Sequence, residues 1–261
     1  MINKLLNIKN VERQLFKRHF IRNVILELNF TNLSKEIILK EIEKIKNEFK
    51  NIGFSRFLDI KQLEFKMTSE DEIPEKVQND ETIGIVLFND EFLIRIELLE
   101  NKLIFSIFKY LNFDSFIKQV EKVLNLLKNI IPNLNEINNI SLSKQNSIIS
   151  TETKSFEDIN NILNKTLLPA LNSEVVPYDN FDFTRNEFAV IKNNYRCKVS
   201  ANCQRTALDE FEINLNILVI DNKNTNIEDV SKNLKNINSF NFSVFNWATT
   251  DKFKKIMNEE I

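Results

Sequence analysis

Asp59, Glu64 and Lys66 are the residues whose types and spacing come nearest to a catalytic pattern. Restriction-type nucleases set an acidic residue beside a Glu-x-Lys pair on a strand. In Glu64-Phe65-Lys66, a Mg²⁺-binding carboxylate and a charge-stabilising amine would share one sheet face. Asp59 stands at an odd offset from Glu64, which on a regular strand turns it to the opposite face. A chain with 28% charged residues also produces such triplets by chance, as Asp221-Asn222-Lys223 shows. The expectation is a solvated sheet face, with a metal-dependent nuclease as an alternative.

Two other segments could recognise a charged partner. Arg196, Lys198, Ser200, Asn202 and Gln204 alternate with Tyr195, Cys197, Val199, Ala201 and Cys203. One face of that strand is polar without a carboxylate, suited to a phosphate backbone or an acidic protein surface. Residues 69–82 carry Glu70, Asp71, Glu72, Glu75, Asp80 and Glu81 against Lys76. They read as a solubilising loop, or as a contact for a basic partner.

Elsewhere the inventory is poor. Gly53 and Gly84 are the only glycines, so no dinucleotide fingerprint, Walker A loop or nucleophile elbow can be written. His19 is the only histidine, which rules out a His-rich metal site built from this chain alone. It reads as structural, at the junction between an arm and a strand. Neither cofactor nor metal is expected. Cys197 and Cys203, on one strand, would lie roughly 20 Å apart, too far to bridge; they are expected as reduced, half-buried thiols. Trp247, near Phe240, Phe242 and Phe245, reads as a helix core anchor. A net charge of -2 gives no global attraction to nucleic acid. With no apolar run of about 18 residues and no charged-then-apolar leader, the expectation is a cytoplasmic protein that does not meet membranes.

The elements that would carry these residues follow from periodicity. Residues 1–19 form a basic arm with Ile2, Leu5, Leu6, Leu15 and Phe16 as a weak helical stripe. Val24, Leu26, Leu28 and Phe30 alternate as a half-buried strand. Ser34 caps a helix on Ile38, Ile42, Ile45 and Phe49, closed at Gly53. Strands are expected at 56–67, 83–88, 92–98 and 103–110, then a helix capped by Asp114 and ended by Pro132. The second half repeats the order. A strand spans 138–149, and Ser155 caps a helix on Ile159, Ile162, Leu163 and Leu167. Strands follow at 181–192, 195–206 and 210–221, and Asn226 and Thr250 start two further helices. The predicted fold class is α+β, two similar halves, each an antiparallel sheet covered by helices. The halves are 20–132 and 156–261, joined by a connecting segment with a strand at 133–155.

Phe20-Ile21-Arg22-Asn23-Val24-Ile25-Leu26-Glu27, Ile52-Gly53-Phe54, Leu215-Asn216-Ile217 and Phe245-Asn246-Trp247-Ala248-Thr249-Thr250 carry a family likeness. Through them the chain resembles a sporadically distributed family of uncharacterised bacterial proteins of about this length. It departs from the family pattern at Arg22-Asn23 and Ser239-Phe240, where relatives tend to have Pro-Ile and Leu-His. The resemblance implies an association with mobile elements, phage or defence loci, and no assigned activity. The expected function is non-enzymatic binding of a protein partner, as inhibitors and immunity-type proteins do. Nucleic-acid binding through the arm and the 196–204 face is the alternative. Oligomeric state is left open.

Overall fold

A computed structural model of the chain describes residue 2 and residues 5–66, 75–150, 155–172, 177–207 and 210–259. Ten strands form one antiparallel sheet: β1 (Ile21–Phe30), β2 (Arg56–Lys66), β3 (Glu75–Asn89), β4 (Ile94–Leu99), β5 (Lys102–Ile107), β6 (Glu136–Ser150), β7 (Phe183–Lys192), β8 (Tyr195–Ala207), β9 (Glu210–Asp221) and β10 (Thr225–Asn226). Their order is β2-β3-β4-β5-β1-β6-β9-β8-β7, with β10 against β6. Five helices accompany them among the described residues: α1 (Lys35–Asn51), α2 (Phe113–Ile130), α3 (Phe156–Asn160), α4 (Val230–Ala248) and α5 (Asp251–Asn258). The chain divides into two compact units. One comprises Met1–Ile25, Ile140–Lys223 and Val230–Ile261, the other Leu26–Asn139 and Asn224–Asp229.

In the unit holding Leu26–Asn139, alternation decides the core. Leu26, Leu28 and Phe30 of β1, Ile94, Ile96 and Leu98 of β4, and Leu103 and Phe105 of β5 are all fully or nearly fully buried. Against them pack Ile38, Ile45 and Phe49 of α1, and Phe116, Val120, Val123 and Leu127 of α2. Ser34 caps α1 by accepting from the Ile37 amide, and Gly53 closes it at φ +97°, a conformation few side chains tolerate. The α2 cap is Asn112, whose Oδ1 accepts from Ser115 N at 2.8 Å, rather than Asp114, which sits in the first turn beside the dipole's positive end. The expected strand at 92–98 starts at Ile94, because residues 90–93 form a turn and Leu93 has φ 50°. The largest departure is β3. Residues 75–82, read as part of an acidic loop, continue the strand and pair with β2 out to Glu75↔Lys66. Hairpin pairing overrides their low β-propensity.

In the unit holding Ile140–Lys223, Phe211, Ile213, Leu215, Ile217 and Val219 of β9 are buried together with Cys197, Val199, Ala201 and Cys203 of β8. Leu234, Ile237, Phe240 and Val244 of α4 are buried, and this helix covers β9. The thiols are thus fully rather than half buried, and free. The apolar residues expected on one helix after Ser155 are divided: α3 ends at Asn160, and Leu167 and Leu171 are buried from two short 3-10 turns, the second beside β7. Asn226 lies in β10 and its Oδ1 accepts from Glu228 N, one turn before α4 begins. Among its described residues the arm forms no α-helix. It lies on this unit through buried Ile2 and Leu5, Phe16 against the Phe242 ring at 6.2 Å, and Arg18 N donating to Met257 O. His19 is exposed. Trp247 is half-buried at one end of α4, edge-on to Phe188 of β7 at 6.1 Å, so it is a partial anchor.

Gly84 supplies a test of this packing. A Cβ there would lie 2.4 Å from Leu98 O and 2.8 Å from the Leu99 side chain, across the β3–β4 pairing. Gly84→Ala is expected to lower unfolding free energy by roughly 1–3 kcal/mol, read as a lower urea midpoint at unchanged slope. A wild-type midpoint would contradict the described strand spacing.

Candidate functional site

The strand predicted to carry a polar face does so. Along β8 the burial alternates, with Cys197 to Cys203 towards the helices and Arg196, Lys198, Ser200, Asn202 and Gln204 on the opposite face. Register extends that face sideways. One row runs Glu187, Ser200, Asn216, Gln145 across β7, β8, β9 and β6. The next runs Arg185, Asn202, Asn214, Ser147. Beyond them the rows include apolar side chains: Phe183, Gln204, Glu212 and Ile149 on one side, and on the other Ala189, Lys198, Leu218 and Ser143, followed by Ile191, Arg196, Ile220 and Ser141. Phe183, Ile149 and Ile191 are more than half exposed.

Neighbouring strands change its charge. The face is carboxylate-free within β8 alone, but β7 brings Glu187 and β9 brings Glu212. Lys198 Nζ lies 2.8 Å from Glu187 Oε1, and Arg185 2.9 Å from Glu187 Oε2. Hydrogen bonding from Lys198, then from Arg185, holds the Glu187 carboxyl below its ordinary range. Glu212 accepts from Ser147 Oγ at 2.8 Å and from Gln204 Nε2 at 2.9 Å, with Arg22 3.7 Å away. The Ser147 bond is the main reason its carboxyl too lies low. Ser143 Oγ donates to Asn216 Oδ1 at 2.7 Å. The buried Oδ1 atoms of Asn23 and Asn202 accept no hydrogen bond among the described residues. The result is a broad surface of amides and hydroxyls interrupted by Leu218 and Ile220, on which Glu187 and Glu212 are paired with neighbouring side chains.

The other predicted residues fall elsewhere. Asp59, on β2, lies 3.7 Å from Lys46 of α1. Its strand is irregular, with register shifts between Ile60 and Lys61 and between Lys61 and Leu63. The regular-strand premise for setting Asp59 and Glu64 on opposite faces is therefore corrected. Glu64 and Lys66 pair, backbone to backbone, with Val77 and Glu75. Glu70, Asp71 and Glu72 lie outside the described residues, and Glu75 belongs to β3. No group of three or more His, Cys, Asp or Glu that could hold a metal occurs among the described residues. Nor is any helix among them long and apolar enough to cross a membrane. A polar cleft of about 530 Å³ opens beside Asn164, Asn246 and Thr250, where Thr250 caps α5 and Lys254 pairs with Asp251.

One polar cluster escaped sequence reading. Lys144 and Asn146 of β6 occupy the same inward-facing register as Leu142 and Ile148, and are buried with Asn238, Asn241 and Ser243 of α4. Lys144 Nζ donates to Asn238 Oδ1 at 2.5 Å. Asn146 and Asn241 donate to the Leu215 and Ile217 carbonyls at 3.1 and 3.0 Å. The arm reaches the same helix face, Val11 N donating to Ser243 Oγ. Burial, then repulsion from Arg13, pushes Lys144 down to about 7. The only sequence signal was parity: Leu142, Lys144, Asn146 and Ile148 are spaced by two, but hydrophobicity ends after Leu142 and resumes at Ile148.

Comparison with protein-family models finds no match to this chain, and neither does comparison with curated proteins.

The buried groups predict a pH profile for stability. Lys144 titrates near 7 when folded and near its ordinary 10.5 when unfolded, so between those values the unfolded chain binds one more proton and stability rises with pH. Burial raises Cys197 and Cys203 from 9.0 to about 12, so above pH 9 the unfolded thiols ionise first and stability falls. Urea unfolding should therefore show a net gain of roughly 1–2 kcal/mol from pH 7 to 9, the thiols already offsetting part of the amine's contribution, and a loss beyond it. Lys144→Met should abolish the rise and keep the loss. A fall between pH 7 and 9 in the wild-type protein would contradict the buried amine.

Proposed function

We propose that this chain acts by recognition rather than catalysis, binding a protein partner through the uncovered face of β6, β9, β8 and β7. The observation that carries the reading is the pairing on that face, Glu187 with Lys198 and Arg185, Glu212 with Ser147 and Gln204. The face is polar and extensive, and its charges are balanced. That suits a partner presenting its own polar groups around a few apolar contacts, which Phe183, Ile149 and Ile191 could meet. An inhibitor or immunity-type role in a bacterial defence or mobile-element setting, carried out in the cytoplasm, fits a chain that needs only shape and charge to act.

We also infer that the two halves, residues 20–132 and residues 156–261 together with the strand of the 133–155 segment, derive from one duplicated motif. Supporting this, each places its first strand beside its last. β1 neighbours β5 in one, β6 neighbours β9 in the other, and the intervening strands follow in reverse sequence order outward to β2 and β7.

Ser200→Arg and Asn216→Arg, at the centre of the face, should each reduce partner recovery from a native lysate by tenfold or more. Lys232→Glu, on the exposed side of α4, should leave recovery unchanged. Heparin retention with a steep loss of binding in salt would instead favour nucleic acid. Mg²⁺-dependent cleavage lost in Glu64→Ala would establish the nuclease. Recovery insensitive to both sheet-face substitutions but lost in a Glu70, Asp71, Glu72 triple Ser variant would move the contact to the acidic segment.

A further inference from the structure

Strand β7 ends the sheet order, and its outer edge is unusually well formed for pairing. Exposed edges are ordinarily blunted by proline, bulges or shortness, because their free amides template association. This one is ten residues long, contains neither proline nor glycine, and pairs with β8 without a register shift. Arg205 N donates to Asp182 O at 2.8 Å just beyond the ladder, which fixes its phase. Residue 182 and the even-numbered residues of β7 bond to β8. The N–H and C=O groups of Phe183, Arg185, Glu187, Ala189 and Ile191 therefore turn outward. Among the described residues, none of these five makes a backbone hydrogen bond on that side.

We propose that β7 pairs antiparallel with β7 of a second copy of this chain, about a two-fold axis through Asn186. Hydrogen-bond parity and face matching admit a second copy in any register centred on a residue, and charge selects the one centred on Asn186. Outward-facing residues of two copies can form hydrogen-bonded pairs only when both are odd-numbered. The Asn186 register satisfies this, setting Arg185 opposite the partner's Glu187 and Phe183 opposite the partner's Ala189. It also places a cation opposite a carboxylate twice, once on each side of the axis. The next register, centred on Glu187, would instead set two Glu187 carboxylates against each other, which opposes pairing. Finally, the alternation of β7 is self-matching in this register. Residues facing the helices meet residues facing the helices, and the polar face of each copy continues into the other. The arrangement closes on itself as an isologous dimer, with no edge left to propagate. The inference shares Arg185 and Glu187 with the proposed partner surface but is read as mass rather than partner recovery, so either can fail without the other.

Analytical ultracentrifugation of the full chain at tens of micromolar should give twice the monomer mass of 30.8 kDa. Arg185→Glu and Glu187→Arg, each of which sets like charges opposite one another, should each sediment as monomers. Mixed in equal amounts they should form a heterodimer, because each junction then regains one cation and one carboxylate. Native mass spectrometry with one variant isotope-labelled reads this directly. Ala189→Pro removes an outward N–H that β8 does not use, so the variant should keep its circular dichroism and lose the dimer. A monomeric wild-type protein at this concentration would overturn the proposal. So would single charge variants that remain dimeric, or a mixture that gives no heterodimer.

Discussion

The structure depends on strict two-residue alternation along strands whose two faces meet different surroundings. On β8 and β9 every second residue, from Cys197 to Cys203 and from Phe211 to Val219, is driven under the helices by removal of apolar surface from water. The intervening residues are thereby committed to the opposite face. A one-residue slip in any ladder would exchange the two sets, so the buried side chains fix the make-up of the uncovered face as firmly as that of the core. Ser200, Asn202, Asn214 and Asn216 are aligned across the β8–β9 pairing because their neighbours cannot leave the interior.

Polar groups inside the helix-covered side serve a different purpose. Asn146 and Asn241 donate to carbonyls of β9, and Lys144 reaches Asn238, so α4 is held over the sheet in one register by directional bonds as well as by packing. Such bonds contribute modestly when made and cost more when broken, because each leaves a buried group without a partner. The arm takes part in this cluster through Val11 and Ser243. An otherwise irregular segment is thereby tied to the helix that covers β9.

Most of the element order was legible because it rests on that alternation. Phe211 to Val219 and Cys197 to Cys203 could be assigned to the interior from spacing alone. Three features were hidden for physical reasons. Glu75 to Asp80 have little intrinsic preference for a strand and form one only because β2 lies alongside. Ile159, Ile162, Leu163 and Leu167 have helical spacing, yet the helix stops at Asn160, where Asn161 O accepts from Thr250 and Asn164 bonds the end of α4 and a 3-10 turn. Lys144 occupies an inward position whose parity was readable but whose burial depends on amides from a helix nearly a hundred residues away. As for the candidate site, β8 displayed its polar side, but the carboxylates that neutralise it belong to β7 and β9. Register, which no single strand contains, decided its charge.

The claim that the uncovered sheet face is the working surface can be tested by site-specific photo-crosslinking in cells. A photoreactive side chain at position 200, 214 or 216 should cross-link one common protein partner, while the same group at Lys232 or Lys235 on the exposed side of α4 should give none. Cross-links arising only from the helix positions would contradict the account.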